Sequence, residues 1–291
     1  MAAGTDDFHR AVLAFADSNL PGAVDGVRAA AARAPDNLVY RASIIHLEKR
    51  IASGQASAYA SPEGFQAFVR AGGNIPLYAT TSAALRAAYG EYDSVRLLDI
   101  GTGDGLALIP ALTDNIRRLD VLEPSAALLG SLEQQLQAAG QPYRAFHSTL
   151  EDFVRTSSDR WDLVQATYSL QSIPLDERPA IVRWLRAHTE RLLVIEFDAP
   201  DFSEPTAPER VDYVVERYQR GLAEYAGNET VIQGFLMPIM WSYFDRSVAR
   251  LNYEQPMAAW TQLLAEAGFE QIASGPIYPY WWATAHIIDA R

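Results

Sequence analysis

The stretch Val95–Leu106, VRLLDIGTGDGL, constrains this chain most tightly. An apolar run (Val95, Leu97, Leu98, Ile100) carries an acid near its end, Asp99, and three glycines follow at alternate positions, Gly101, Gly103 and Gly105. Backbone free of side chains at that spacing predicts a tight loop. It would join a buried parallel strand to a helix whose N-terminus faces a ligand. A second strand-like run, Leu119–Leu122, ends in Glu123, where an open α/β sheet presents an acid to a ribose. The pattern therefore predicts a nucleoside-bearing cofactor.

The spacing also discriminates among nucleosides. A dinucleotide site uses G-x-G-x-x-G and gathers a pyrophosphate at the helix N-terminus. Here the pattern is G-x-G-x-G, with Asp99 before the loop and Asp104 inside it. Carboxylates there repel phosphates and suit a ligand with an amino group and a sulfonium centre. These residues point to S-adenosylmethionine, and the chain resembles the class I S-adenosylmethionine-dependent methyltransferases.

The resemblance runs from about Tyr89 to the C-terminus. LLDIGTGDG is similar to the family's glycine-rich first motif and LDVLEPSAALL to its acidic second strand. FHSTLEDF is similar to the segment that wraps adenine, with Thr149 where the family often has Asp. RWDLVQATYSLQSI resembles the fourth-strand motif and LLVIEFDAP the fifth strand. WTQLLAEAGFEQI and YWWATAHIID resemble the last helix and hairpin.

The resemblance implies an α/β fold: a Rossmann-like sheet with helices on both faces and an antiparallel last strand. It implies cofactor contacts from Tyr78, Asp99, Gly101, Thr102, Gly103, Asp104, Gly105, Glu123, Pro124, Ser125, Thr149, Leu150 and Thr167. The layout also faintly resembles that of indole C3-methyltransferases that initiate pyrroloindoline formation.

With 291 residues the chain has room for one enlarged domain, or a domain and an appendage. We expect a helical extension over residues 1–88 and a catalytic domain over 89–291, with a helical substrate lid at about 200–255. Helices are predicted at Phe8–Ala16, Gly22–Ala34 and Leu38–Ile51, loosely like one tetratricopeptide unit. One such unit cannot bury its own face, so it must pack on the catalytic domain or on a second copy in a homodimer. Gly72-Gly73-Asn74 reads as a helix stop, with Asn74–Tyr78 approaching the glycine loop.

From Val95 onward, strands are predicted near 95–100, 119–123, 143–147, 161–166 and 192–197. Helices are predicted near 105–113, 125–138, 177–188 and 257–267. The lid would comprise an amphipathic helix, VDYVVERYQRGLAEYAG, and an apolar one, TVIQGFLMPIMWSYFDRSV, kinked at Pro238.

A net charge of −12, from 24 basic against 36 acidic side chains, argues against a nucleic-acid partner, because such binding depends on neutralising phosphates. The absence of cysteine excludes thiolate catalysis and cysteine-ligated zinc, and no two histidines share close metal-ligand spacing, so no metal is expected. No apolar run is long enough for a bilayer and no secretory signal is visible; a cytoplasmic location and no membrane partner are expected.

Methyl transfer needs alignment, and a base wherever the acceptor loses a proton. Glu196, at the end of the fifth strand, is the candidate base, and Tyr168 is the second candidate catalytic residue. Tyr168 and Gln171 would orient the acceptor, with Trp241, Tyr243 and Phe244 lining its pocket. The expected activity is methylation of a small aromatic or heteroaromatic metabolite in secondary metabolism, with C-methylation of an indole one form of it. O- or N-methylation of a similar acceptor is the nearest alternative. A cofactor-binding pseudoenzyme that grips a protein partner is the alternative from another class.

Overall fold

The computed structural model describes residues 3–54, 61–202, 204–247, 250 and 252–291. In chain order, α1 (Thr5–Ala16), α2 (Leu20–Arg33), α3 (Leu38–Ser53) and α4 (Pro62–Val69) precede α5 (Asn74–Tyr89) and β1 (Val95–Ile100). Next come α6 (Leu108–Ala111), β2 (Ile116–Leu122), α7 (Ala126–Ala138), β3 (Arg144–Phe146), α8 (Leu150–Thr156) and β4 (Trp161–Thr167). These lead to α9 (Arg178–His188), β5 (Thr189–Phe197), α10 (Pro208–Glu224), α11 (Glu229–Val231) and α12 (Met237–Ser242). The chain ends with α13 (Met257–Glu266), β6 (Ile272–Pro279) and β7 (Thr284–Ala290).

Two compact units result: Met1–Ile75 with Phe202–Leu251, and Pro76–Asp201 with Asn252–Arg291. The sheet unit contains seven strands in the order β3-β2-β1-β4-β5-β7-β6. β1 to β5 run parallel, and β7 pairs antiparallel with both β5 and β6. Alternate residues of each strand serve opposite faces. Leu98, Ile100, Val164, Ala166, Leu192 and Val194 pack with Trp260 and Leu264 of α13 on one side. Leu97, Leu163, Leu193 and Ile195 pack with Leu85 and Tyr89 of α5 and Leu132 of α7 on the other. Burial on both faces is why these strands read as nearly continuous apolar runs.

Local chemistry sets the element ends. Ser125 and Thr149 cap α7 and α8, accepting from the backbone N–H groups of Leu128 and Asp152. The helix predicted from residue 105 begins only at Leu108. Gly101, Gly103 and Gly105 all have positive φ (66°, 59° and 86°), a geometry that continues the loop and cannot belong to a right-handed helix. The predicted approach segment, Asn74–Tyr78, forms the start of α5.

In the helical unit, a five-residue π turn, Ile232–Leu236, precedes Pro238. Proline has no N–H to offer the carbonyl of Gly234, and that carbonyl instead accepts from the Ser61 N–H at 2.7 Å. The last residue of this predicted apolar segment, 248, lies outside the described residues. No described helix is long and apolar enough to cross a membrane.

Candidate active site

A cleft of about 300 Å³ opens at the carboxyl ends of β1, β2 and β4. Six predicted cofactor or substrate residues line it: Gly101, Glu123, Pro124, Thr149, Leu150 and Tyr168. Glu123 ends the run of β2, and its carboxylate accepts from the Gly103 N–H at 2.9 Å and the Ser125 N–H at 2.8 Å. The acid thus fixes the glycine loop while each oxygen keeps a lone-pair direction for a ribose hydroxyl. A Cβ on Gly101 would stand 2.4 Å from the Ser169 Cβ, so only glycine fits against the turn that follows β4. Ser169 itself donates to the Ile100 carbonyl at 2.8 Å.

Asp99 lies behind the loop. It is buried, opposite Gln165 of β4 in register, and burial raises its carboxyl to about 7 against the opposing hydrogen bonds of Thr102 and Gln165. Asp104 is also buried, and its carbonyl accepts from Gln135 at 2.7 Å. Ser125 serves as the α7 cap, and Thr167 ends β4 with its Oγ1 buried and without a hydrogen-bond partner among the described residues. The glycines, the Glu123 carboxylate and the Thr149–Leu150 edge fit an adenosine moiety in shape and donor set.

The residues after β4 and β5 build the other half. Tyr168 has φ of 52°, a left-handed conformation that costs a non-glycine residue roughly 1–2 kcal/mol. Its N–H donates to the Ile195 carbonyl at 2.7 Å, and its hydroxyl lies 3.0 Å from the Thr81 Oγ1. The Tyr168 ring stacks on Phe197 at 4.8 Å and meets Tyr78 edge-on at 6.0 Å; Phe197 stacks in turn on Tyr280 at 5.3 Å. Burial pushes the Tyr168 phenol above its ordinary value, so this hydroxyl is no base near neutrality.

Glu196 is 1% exposed. Its Oε1 accepts from the Gln171 N–H at 3.1 Å, and Oε2 has no hydrogen-bond partner among the described residues. Burial raises the carboxyl to about 8, opposed by that N–H and by the charge of Arg178. In register Glu196 sits opposite His286 of β7. Gln171 donates through Nε2 to the Tyr168 carbonyl at 3.2 Å. Arg178, absent from the sequence-based expectations, is buried and donates to the carbonyls of Ile173, Gln171 and Tyr253 while lying 4.5 Å over Trp260. Its signal was masked because Arg at a helix start reads as solvent-facing.

Trp241 and Phe244 are not placed as the expectation had them. Both are fully buried in the helical unit, where Trp241 packs on Phe8, Phe15 and Phe244 and its Nε1 donates to Ser43 at 3.3 Å. Packing consumes these rings and leaves no surface for an acceptor. Tyr243 lies under the Arg210 guanidinium at 5.7 Å in the same unit.

Residues 57–274, well over half of the chain, match the family described as a methyltransferase domain. The chain is similar to the structure of magnesium protoporphyrin IX methyltransferase (ChlM) from Synechocystis PCC 6803 with bound SAH. Identity is 16%, coverage 75% of this chain and 83% of that one, and the TM-score 0.50. The same protein with bound SAM gives 16%, 75%, 80% and 0.48. The cyclopropane synthase MmaA2 from Mycobacterium tuberculosis gives 11%, 72%, 83% and 0.49. At 16% identity and a TM-score of 0.50 the first likeness is one of fold, the Rossmann-like sheet with antiparallel last strands. No curated protein matches the sequence. From its matched residues and its sheet, the chain belongs to the methyltransferase-domain family, as a class I enzyme whose methyl donor is S-adenosylmethionine.

Proposed function

We propose that this methyltransferase acts on a small, flat aromatic or heteroaromatic acceptor, with an indole carbon as one target and an oxygen or nitrogen of a similar ring as the alternative. A place in secondary metabolism and self-association through the N-terminal helices belong to the same reading. The observation that carries it is the file of rings Tyr78, Tyr168, Phe197 and Tyr280 beyond the donor cleft. Ring faces and edges of this kind recognise another ring by offset or edge-to-face packing, worth about 0.5–1.5 kcal/mol per pair beyond area burial.

S-adenosylmethionine, when bound, supplies an electrophilic methyl carbon on a cationic sulfur. Glu123 would hold the ribose hydroxyls, and Thr149 and Leu150 would border the adenine. Tyr168 and Gln171 orient the acceptor ring. Glu196 takes the proton that the acceptor loses, through the Oε2 that the fold leaves unengaged. Its high proton affinity suits a weakly acidic donor such as a ring N–H.

The test is incubation with S-adenosylmethionine and a panel of indoles, phenols and aliphatic acceptors, with products identified by mass spectrometry. Methylation confined to aromatic members supports the proposal. Methylation of aliphatic acceptors alone would overturn it. Tight S-adenosylhomocysteine binding with no product on any acceptor would favour the pseudoenzyme.

A further inference from the structure

The helical unit contains a cavity of its own, about 430 Å³, walled by α1, the start of α3 and α10. We propose that it is a binding site for a small aromatic molecule carrying a protonated amine. Phe8 and Tyr40, both buried, form its floor, stacked at 4.9 Å with 27° between their planes. The stacked pair closes the cavity from below and gives an aromatic guest an apolar wall. Above them, α10 presents two carboxylates one turn apart, Asp212 and Glu216. The Asp212 Oδ1 lies 2.8 Å from the His9 Nε2, and Glu216 pairs with Arg220.

Burial raises the Tyr40 phenol, a hydrogen bond with Thr5 opposes the rise, and the charges of Asp212 and Asp7 add to it. The walls are also held at a fixed separation. Gln219 of α10 accepts from the backbone N–H groups of Leu38 and Val39 at 2.8 and 3.4 Å, which ties α10 to the N-terminus of α3. The cavity is therefore preformed, and its volume falls within the roughly 300–1,000 Å³ typical of small-molecule sites. The lining carries the two carboxylates against one guanidinium, that of Arg220, so its net charge disfavours an anion. An aryl ammonium satisfies both floor and rim.

Calorimetric titration of the full chain near neutral pH with 2-phenylethylamine, 2-phenylethanol and phenylacetate tests this. Saturable binding of the amine is expected, with the alcohol about tenfold or more weaker and the carboxylate silent. Asp212→Asn, at a half-exposed position, should weaken the amine by about tenfold or more while leaving the circular dichroism spectrum unchanged. Val215→Trp, which fills the cavity, should abolish binding, and saturating S-adenosylhomocysteine should not displace the amine. Equal binding of amine and alcohol, indifference to Asp212→Asn, displacement by S-adenosylhomocysteine, or no saturable binding at millimolar amine would each overturn the proposal. S-adenosylhomocysteine affinity measured on the same sample reports separately on the donor cleft.

Discussion

Replacing Glu196 by Gln separates the two tasks that its position combines. One is mechanical: the carboxylate pins the turn after β4 by accepting from the Gln171 N–H at 3.1 Å. A carboxamide oxygen can accept the same hydrogen bond, so the turn should stay in place. The other task, the proposed one, is chemical, since only a carboxylate can take a proton. With its carboxyl raised to about 8, a wild-type base would be ionised to roughly one part in ten at pH 7 and nine parts in ten at pH 9. The rate of the wild type should therefore climb about tenfold between those values and level off above them. Glu196→Gln should lose on the order of 100-fold in turnover and show a flat profile, with S-adenosylhomocysteine affinity unchanged. Thermal melts supply an independent check on protonation. The folded carboxyl binds its proton more tightly than the unfolded one, so wild-type stability should fall as pH rises from about 4.5 to about 8, by a few kcal/mol in all. The Gln variant should lose that part of the slope and keep the part due to Asp99, whose carboxyl is raised to about 7. Full activity in Glu196→Gln with an unchanged pH profile would refute the base assignment, leaving only the pinning.

Three further outcomes follow from the geometry. Glu123→Ala should weaken S-adenosylhomocysteine binding by about 1.5–3 kcal/mol in calorimetry, because a charged acceptor of two loop N–H groups is lost; unchanged affinity would remove Glu123 from the ribose. Gly101→Ala should abolish donor binding and lower the melting temperature, since the added methyl would meet the Ser169 Cβ at 2.4 Å on a backbone with φ of 66°. Trp241→Ala should cost about 3–5 kcal/mol in denaturant unfolding while the remaining folded enzyme keeps its KM for the acceptor; a raised KM at unchanged stability would restore Trp241 to the acceptor site.

Much of the sheet was readable because its physics is local. β1 and β4 are buried on both faces, so their apolar runs coincide with the elements themselves. The glycine loop was equally legible, since alternate glycines have few uses other than positive φ and close approach. The edges of strands were not. β5 starts at Thr189, three residues before its apolar run, and carries Arg191 into the sheet. That arginine is buried among Glu91 and Asp289, at 3.0 and 2.8 Å, partners about 100 residues away that no local pattern reveals. β2 likewise starts at Ile116, with Arg118 held on Asp120. Trp241, Tyr243 and Phe244 were expected to line an acceptor pocket. Trp241 and Phe244, together with Tyr218 and Tyr225, are instead buried in helix packing, and the Tyr225 hydroxyl bonds Asn74 and the Ala71 carbonyl. Periodicity distinguishes a buried face from an exposed one, but it cannot say whether a buried ring faces protein or substrate.

Under the proposed assignment, the left-handed residue at Tyr168 explains how the donor and acceptor halves of the site share one reference. Strain of that size persists only where the surroundings over-determine the conformation. Here they do. The Tyr168 N–H bonds the end of β5, the Ser169 hydroxyl bonds the end of β1, and the Gln171 N–H bonds Glu196. The Gln171 carbonyl accepts from both the Tyr253 N–H and Arg178. The same turn therefore presses Ser169 against Gly101, which shapes the glycine loop, and seats the Tyr168 ring on Phe197, which shapes the proposed acceptor wall. A group transfer limited by alignment gains most when both partners are positioned from a single rigid element. In this chain that element is the turn from Tyr168 to Ile173. A relaxed substitution at Tyr168 would remove the strain together with the common register.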